Sequence, residues 1–277
     1  MKIAAVVVTY NRLNLLKECI EAIRNQTHKV DEIIVVNNSS TDGTLEWLNK
    51  QNDLTVITQE NSGSAGGQYT GIKTAYEKGY DWIWCMDDDG LPTYNCLEKL
   101  LNCKNFSPQN CYNSLILDKN TKKLSFHIPL LSSYIKILDY YCVLTNEPEK
   151  IKKESIDGFY GWGMFFNSTL LSREIIKDVG LPRKDFFIWG DEVEYFYRIK
   201  EKYKVLIVLD SIFYHPAKRN EKINNNLKYK YYFRNYVYIN KKYKKLSLIR
   251  NLILLLKILS SKKLTLIKYF IKGFKVK

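Results

Sequence analysis

With 277 residues, 45% of them hydrophobic, the chain can bury one large core or two small ones, so a globular protein is expected. Its net charge of +14 suggests a nucleic-acid binder, yet residues 226–277 hold thirteen Lys, two Arg and no acid, which leaves 1–225 close to neutral and argues against nucleic acid as partner. The six cysteines form no CxxC pair and several fall in apolar runs, which argues against structural zinc and predicts a reducing cytosol.

MKIAAVVVTYNR offers six apolar residues between Lys2 and Thr9, too few for a signal-peptide core, so no export is predicted. IAAVVVT (3–9) is a β-branched run of the kind buried in parallel sheets, and a helix is predicted from Leu13 to Asn25. A second strand at Ile33 to Val36 leads through the polar NNSSTDG to a helical stretch bearing Leu45 and Leu48. LTVIT (54–58) reads as a third strand, NSGSAGG (61–67) as a Gly-rich loop, Gln68 to Lys78 as a helix and DWIWCM (81–86) as a fourth strand. This alternation predicts an α/β fold with a mostly parallel, Rossmann-like sheet flanked by helices. YNR, NNSSTDG and DDDG then share the edge beyond the strands' carboxyl ends, where open α/β sheets take ligands.

From 97 to 155 no pattern is secure. Order returns at GFYGWGMFFNSTLL (158–171), followed by a helix to Val179, a turn at Gly180-Leu181-Pro182, a helix opening in FFIWGDEVEYFYRIK (186–200) and a strand in VLIVLDSIFYHPA (205–217). In 226–277, LSLIRNLILLLKIL and LTLIKYFIKGF read as basic amphipathic helices, the second with Leu264, Ile267, Ile271 and Phe274 on one stripe. No stretch reaches the ~18 apolar residues that span a bilayer. This extension is expected either to lie on an anionic membrane surface or to pack as a helical bundle on the core or at a homo-oligomer interface.

Three consecutive acids, Asp87, Asp88 and Asp89, close a buried strand. An exposed acidic turn is the plain explanation; a divalent cation with hard oxygen ligands, Mn²⁺ or Mg²⁺, is the one that answers the mutual repulsion. A cation held by one or two carboxylates keeps positions open for substrate phosphates, which points to a nucleotide-linked substrate.

VVVTYNR, VVNNSSTDGT, NSGSAGG and DDDG, in that order and spacing, resemble the nucleotide-sugar-binding half of a family 2 glycosyltransferase of the GT-A fold. GFYGWGMFFNSTLLSREIIKDVGLP and FFIWGDEVEYFYR resemble the galactofuranosyl- and rhamnosyltransferase branch that builds bacterial surface polysaccharides. The resemblance implies a GT-A domain over 1–225, with a donor half at 1–96 and an acceptor and catalytic half at 97–225, followed by the basic helical tail at 226–277. It implies an inverting, metal-dependent enzyme at the inner face of the cell membrane that moves a sugar from a UDP- or dTDP-linked donor to a lipid-linked glycan. Thr9, Asn11, Arg12, Asn38, Asp42 and Asp88 would serve the donor, with Asn61, Gly63, Gly66 and Gly67 letting backbone approach it. Asn37 stands where the family usually has Asp, which leaves uridine and thymidine donors both open. Asp87 and Asp89 match the family's metal pair, and His215 a histidine that completes the metal shell. Glu192, with Asp191 as the alternative, would be the general base, and Trp162 and Trp189 would stack on the acceptor sugar. A sugar nucleotidyltransferase is the competing enzyme class, but TYNRLN lacks the basic Gly-rich signature of that class.

Overall fold

A computed structural model describes residues 1–216 and 226–276. The first four strands, β1 (Ile3–Thr9), β2 (Glu32–Asn37), β3 (Leu54–Thr58) and β4 (Trp82–Asp87), alternate with α1 (Leu13–Arg24), α2 (Thr44–Leu48) and α3 (Gly63–Glu77). They pair in parallel in the order β3-β2-β1-β4, with Val8 level with Asp87 and Thr9 with Asn37. Three strand ends thus deliver Thr9, Asn37 and Asp87 to one edge.

The stretch that carries no readable pattern folds as β5 (Leu91–Pro92), α4 (Cys96–Leu101), β6 (Asn110–Leu117), the short strands β7 (Ile128–Pro129), β8 (Tyr134–Ile135), β9 (Tyr140–Tyr141) and β10 (Leu144–Thr145), and α5 (Pro148–Lys153). Two-residue strands give too little periodicity to be seen in sequence. Then come β11 (Phe159–Tyr160), β12 (Asn167–Ser172), α6 (Arg173–Val179), α7 (Asp191–Lys200) and β13 (Lys204–Tyr214). The complete sheet runs β11-β13-β6-β12-β4-β1-β2-β3, with β5 on β13. β13 is parallel to β6, whereas β12 is antiparallel to both of its neighbours.

Both sheet faces are covered, which is why β1 is apolar at every position. On one face α1 and α4 set Leu16, Ile20, Leu97 and Leu100 against Ile3, Ala5 and Val7. On the other, α3, α6 and α7 set Ile72, Ile175 and Ile199 against Ala4 and Val6. NSGSAGG is not a loop: α3 begins at Gly63 and runs through it. A Cβ on Gly67 would fall 2.3 Å from Val8 Cγ1, and one on Gly71 2.3 Å from Val6 Cγ1. The glycines let the helix lie directly on β1, and this contact outweighs their cost of about 1 kcal/mol each in helix propensity.

The basic extension forms three helices, α8 (Leu227–Tyr243), α9 (Ser247–Ser260) and α10 (Ile267–Gly273). Phe233, Val237, Leu254, Ile258 and Phe270 make their shared core. Tyr238 and Ile239 of α8 also pack with Ala65 of α3 and Phe186, so the extension is fastened to the α/β body. Among the described residues no helix is long and apolar enough to cross a membrane.

Candidate active site

The acid triplet is met by side chains from β1 and the loop after it, from α3 and from the residue just beyond β13. Arg12 Nη1, just beyond β1, donates to Asp88 Oδ1 at 3.1 Å and Asp89 Oδ2 at 2.8 Å. Thr9 Oγ1 donates to Asp88 Oδ2 at 2.7 Å, Gln68 Nε2 to Asp87 Oδ1 at 3.1 Å, and His215 Nε2 stands 3.3 Å from Asp89 Oδ1. Burial, followed by the charges of Asp89 and Asp88, pushes Asp87 up to about 7. Burial likewise lifts Asp88 to about 6, with Arg12 opposing. For Asp89 burial acts in the same direction, yet His215 and Arg12 hold it below the usual carboxylate range. Each acid therefore meets a different environment within three residues of chain.

Thr9 and Asp88 turn toward each other and are almost fully buried, so their polar atoms serve the loop. Arg12 stays half-exposed. Asn11 Oδ1 accepts from Thr41 N at 2.7 Å, and Asp42 Oδ2 from Leu13 N at 2.9 Å, which binds the loop after β1 to the loop after β2. Asn38 donates to Gly63 O at 3.1 Å and accepts from Gln59, while Asn61 Oδ1 accepts from Gly63 N. Gly66 and Gly67 sit in the first turns of α3, against Ser62 and Val8. Asn37 is buried and accepts from Ser40 N, but its Nδ2 has no partner among the described residues. Gln68 Oε1 and Asp191 Oδ2 are likewise buried without a partner. Orphaned polar atoms are rare in folded proteins, and these three belong to residues named here as part of one candidate site.

Asp191 and Glu192 open α7, in the first turn, where the helix dipole favours negative charge. Asp191 is buried, and burial first, then Glu192, then more weakly Asp87, drive its carboxyl well up. The protonated form is thereby favoured. Glu192 is partly exposed, and its Oε2 accepts from Gly190 N at 2.9 Å. Of the pair, Glu192 is the carboxyl that solvent can reach.

The segment that aims this pair is strained. Phe187, Trp189 and Gly190 have φ of 62°, 58° and 100°. Such conformations cost non-glycine residues on the order of 1–3 kcal/mol each and persist only when their surroundings impose them. Asn235 of α8 supplies that restraint: its buried Nδ2 donates to Phe186 O, Ile188 O and Trp189 O at 2.9, 3.3 and 2.7 Å. A Cβ on Gly190 would lie 3.1 Å from Asn235 Cβ, so close approach and left-handed backbone both require glycine there. Tyr236, next on α8, neighbours the pair; burial and then Glu192 push its phenol well up. Sequence reasoning missed Asn235 and Tyr236, although Tyr229, Phe233 and Val237 at helical spacing mark the helix that carries them.

Trp162 is half-buried between Phe196, at 4.6 Å, and Tyr141, at 5.5 Å, while Trp189 packs edge-on against Tyr229 and Tyr232. The two rings occupy different aromatic clusters. Of the expected metal ligands, Asp89 and His215 are brought together and Asp87 is tied to Gln68; among the described residues no three His, Cys, Asp or Glu side chains converge to hold a metal. A carboxylate oxygen beside an imidazole nitrogen nevertheless suits Mn²⁺ or Mg²⁺ when substrate phosphates and water complete the shell.

Residues 4–158 match the family described as Glycosyl transferase family 2. The chain belongs to that family. This family 2 glycosyltransferase is 33% identical over 202 residues to galactofuranosyltransferase GlfT1 of Mycolicibacterium smegmatis, an alignment that covers 69% of the chain and 63% of the relative. The chain thus spans less than two thirds of that relative's length. Among solved structures it resembles GalNAc-T7 with UDP, GalNAc and Mn²⁺, at a TM-score of 0.62 and 17% identity over 88% of this chain and 49% of that one. It also resembles the mannosyltransferase PcManGT of Pyrobaculum calidifontis in complex with GDP-Man and Mn²⁺, at 0.55 and 16% over 87% and 63%. The α/β architecture of this family 2 enzyme is therefore the GT-A fold that its motifs imply.

Proposed function

We propose that the protein is an inverting glycosyltransferase that moves galactofuranose or rhamnose from a UDP- or dTDP-linked donor to a lipid-linked glycan of bacterial surface polysaccharide, working at the inner face of the cell membrane. The observation that carries this reading is the acid pair Asp191 and Glu192 in the first turn of α7, the first buried and the second partly exposed. Its similarity to GlfT1 supports galactofuranose, and the Mn²⁺ bound to GalNAc-T7 and PcManGT supports a metal.

In this reading Glu192 accepts the proton of the acceptor hydroxyl as that oxygen attacks the anomeric carbon on the face opposite the leaving diphosphate. Asp191, buried and with its protonated form favoured, would keep a second negative charge away from the base. Arg12 faces the diphosphate side with a half-exposed guanidinium, and the partner-free Nδ2 of Asn37 reads the base. Asn11, Asn38, Asp42, Asn61 and the glycines of α3 shape the donor loops, and the partly buried rings of Trp162 and Trp189 are assigned to the acceptor. Asp89 and His215, with Asp87 behind them, would hold Mn²⁺ or Mg²⁺, which when bound neutralises the departing diphosphate.

Screening nucleotide sugars for binding and slow hydrolysis with Mn²⁺ present tests the reading. One uridine or thymidine donor should stand out. Binding of none, with the protein folded, refutes it.

A further inference from the structure

The outer face of α9 is apolar and, among the described residues, uncovered. Leu248, Ile249, Leu252, Ile253, Leu256 and Leu259 are all at least 45% exposed, Leu248 reaching 80%. They recur at helical spacing on the side opposite Asn251, Leu254 and Ile258, which are buried in the bundle. Beside them stands the turn between β8 and β9, whose Ile137 is 83% exposed and whose Leu138 is also exposed. The turn is clamped to the start of α9: Arg250 Nη2 donates to Asp139 O at 2.7 Å and Leu138 O at 3.1 Å, Lys245 Nζ to Lys136 O at 3.3 Å, and Lys244 pairs with Asp139 at 3.5 Å. Two segments more than a hundred residues apart in sequence thus present their apolar side chains from one clamped unit.

From this we infer that α9 and the 136–139 turn form one docking surface for an anionic lipid bilayer, which α9 enters lying flat. The inference rests on the reading of a lipid-linked acceptor and names the surface that meets the lipid. At 14 residues α9 is about 21 Å long, shorter than the hydrocarbon core, so it lies in the interface and does not cross it. The occupant follows from charge. Lys245, Lys257, Lys262 and Lys268 are exposed on or around this bundle, and 226–277 holds no acid. A second copy docked on the same face would set lysines against lysines, whereas phospholipid headgroups supply the opposite charge and acyl chains take the leucines.

Co-sedimentation of the full chain with vesicles of phosphatidylglycerol and phosphatidylcholine, or of phosphatidylcholine alone, tests it. The full chain should sediment with the anionic vesicles and less with the neutral ones. L252E/I253E should weaken binding by at least about tenfold and I137E several-fold, given the area each leucine or isoleucine buries. L15E, on α1 across the sheet, should bind unchanged, and donor hydrolysis in solution should be unchanged in L252E/I253E and I137E. A Leu252→Trp variant adds a readout that does not depend on losing binding: its emission should shift blue on anionic vesicles. If L252E/I253E and I137E sediment like the parent, or the Leu252→Trp emission does not move, the surface is wrong while the membrane reading stands. A folded parent that ignores anionic vesicles sinks the membrane reading itself, and equal binding to neutral vesicles removes the charge argument. A dimer in solution that L252E/I253E dissociates puts a second copy on this face and overturns the inference.

Discussion

Asn235 Nδ2 donates to the main-chain carbonyl of Trp189 at 2.7 Å, and through it the C-terminal helical extension restrains the backbone that aims Glu192. The extension is therefore part of how the candidate site is built. Asn235→Ala should lower kcat by about 100-fold if the acid pair drifts by about 1 Å, with donor affinity preserved. Loss of the donor to three main-chain carbonyls should also cost about 1–3 kcal/mol of stability. Donor titration calorimetry beside turnover separates the two effects. A fall in affinity and kcat together, matching the fraction unfolded, would show a purely structural role.

Glu192→Gln keeps the size of the side chain but cannot accept a proton. Turnover should fall by about 10²–10⁴-fold while donor binding is retained. Near-normal turnover in Glu192→Gln with loss in Asp191→Asn would hand the role to Asp191.

Asp191 also makes a prediction about stability and pH. Burial raises its carboxyl in the folded protein well above the unfolded value, so between those two values the folded state binds more protons than the unfolded one. Its contribution to unfolding free energy therefore falls as pH rises above the ordinary carboxyl range, and stops falling only above the folded value. Asp191→Asn removes this titration, so urea melts between pH 5 and pH 8 (about this range suffices) should show a shallower loss of stability with pH than the parent. Equal slopes would mean that Asp191 is not buried as a neutral acid.

At the Asp89–His215 pair, Asp89→Ala should weaken Mn²⁺ binding measured by electron paramagnetic resonance in the presence of a nucleoside diphosphate, and His215→Ala should do so to a lesser degree. Undiminished Mn²⁺ binding in Asp89→Ala would take the pair out of any metal site.

Gly67→Ala tests the packing of α3 on β1. The added methyl would lie 2.3 Å from Val8 Cγ1, and the short branched valine has little freedom to yield. The variant should lose about 1–3 kcal/mol, the cost of overpacking, although alanine is the better helix former. Thermal denaturation reads the sign directly.

The sequence by itself determined the α/β class, the parallel strands β1 to β4, the acids that close β4 and open α7, and family membership. Each of these depends on residues close in the chain: a β-branched run between helical periods, or a motif of a few residues. What each motif residue does was decided by residues far away in sequence. Three acids that look alike became a raised Asp87, where burial and the charges of its two neighbours prevail over Gln68, a raised but partly compensated Asp88 beside Arg12, and an Asp89 that His215 and Arg12 hold low. A stretch that reads as a Gly-rich loop became the start of α3, because propensity is a local preference of about 1 kcal/mol per residue and contact with Val6 and Val8 is a tertiary gain. The extension's composition announced a basic amphipathic tail, but Asn235 gains its meaning only when α8 meets the carbonyls of 186–189, and Ile137 only when Arg250 holds its turn beside α9. Hydrogen bonds and packing between distant segments leave no periodic trace in the chain, and they are what turned this set of motifs into a site.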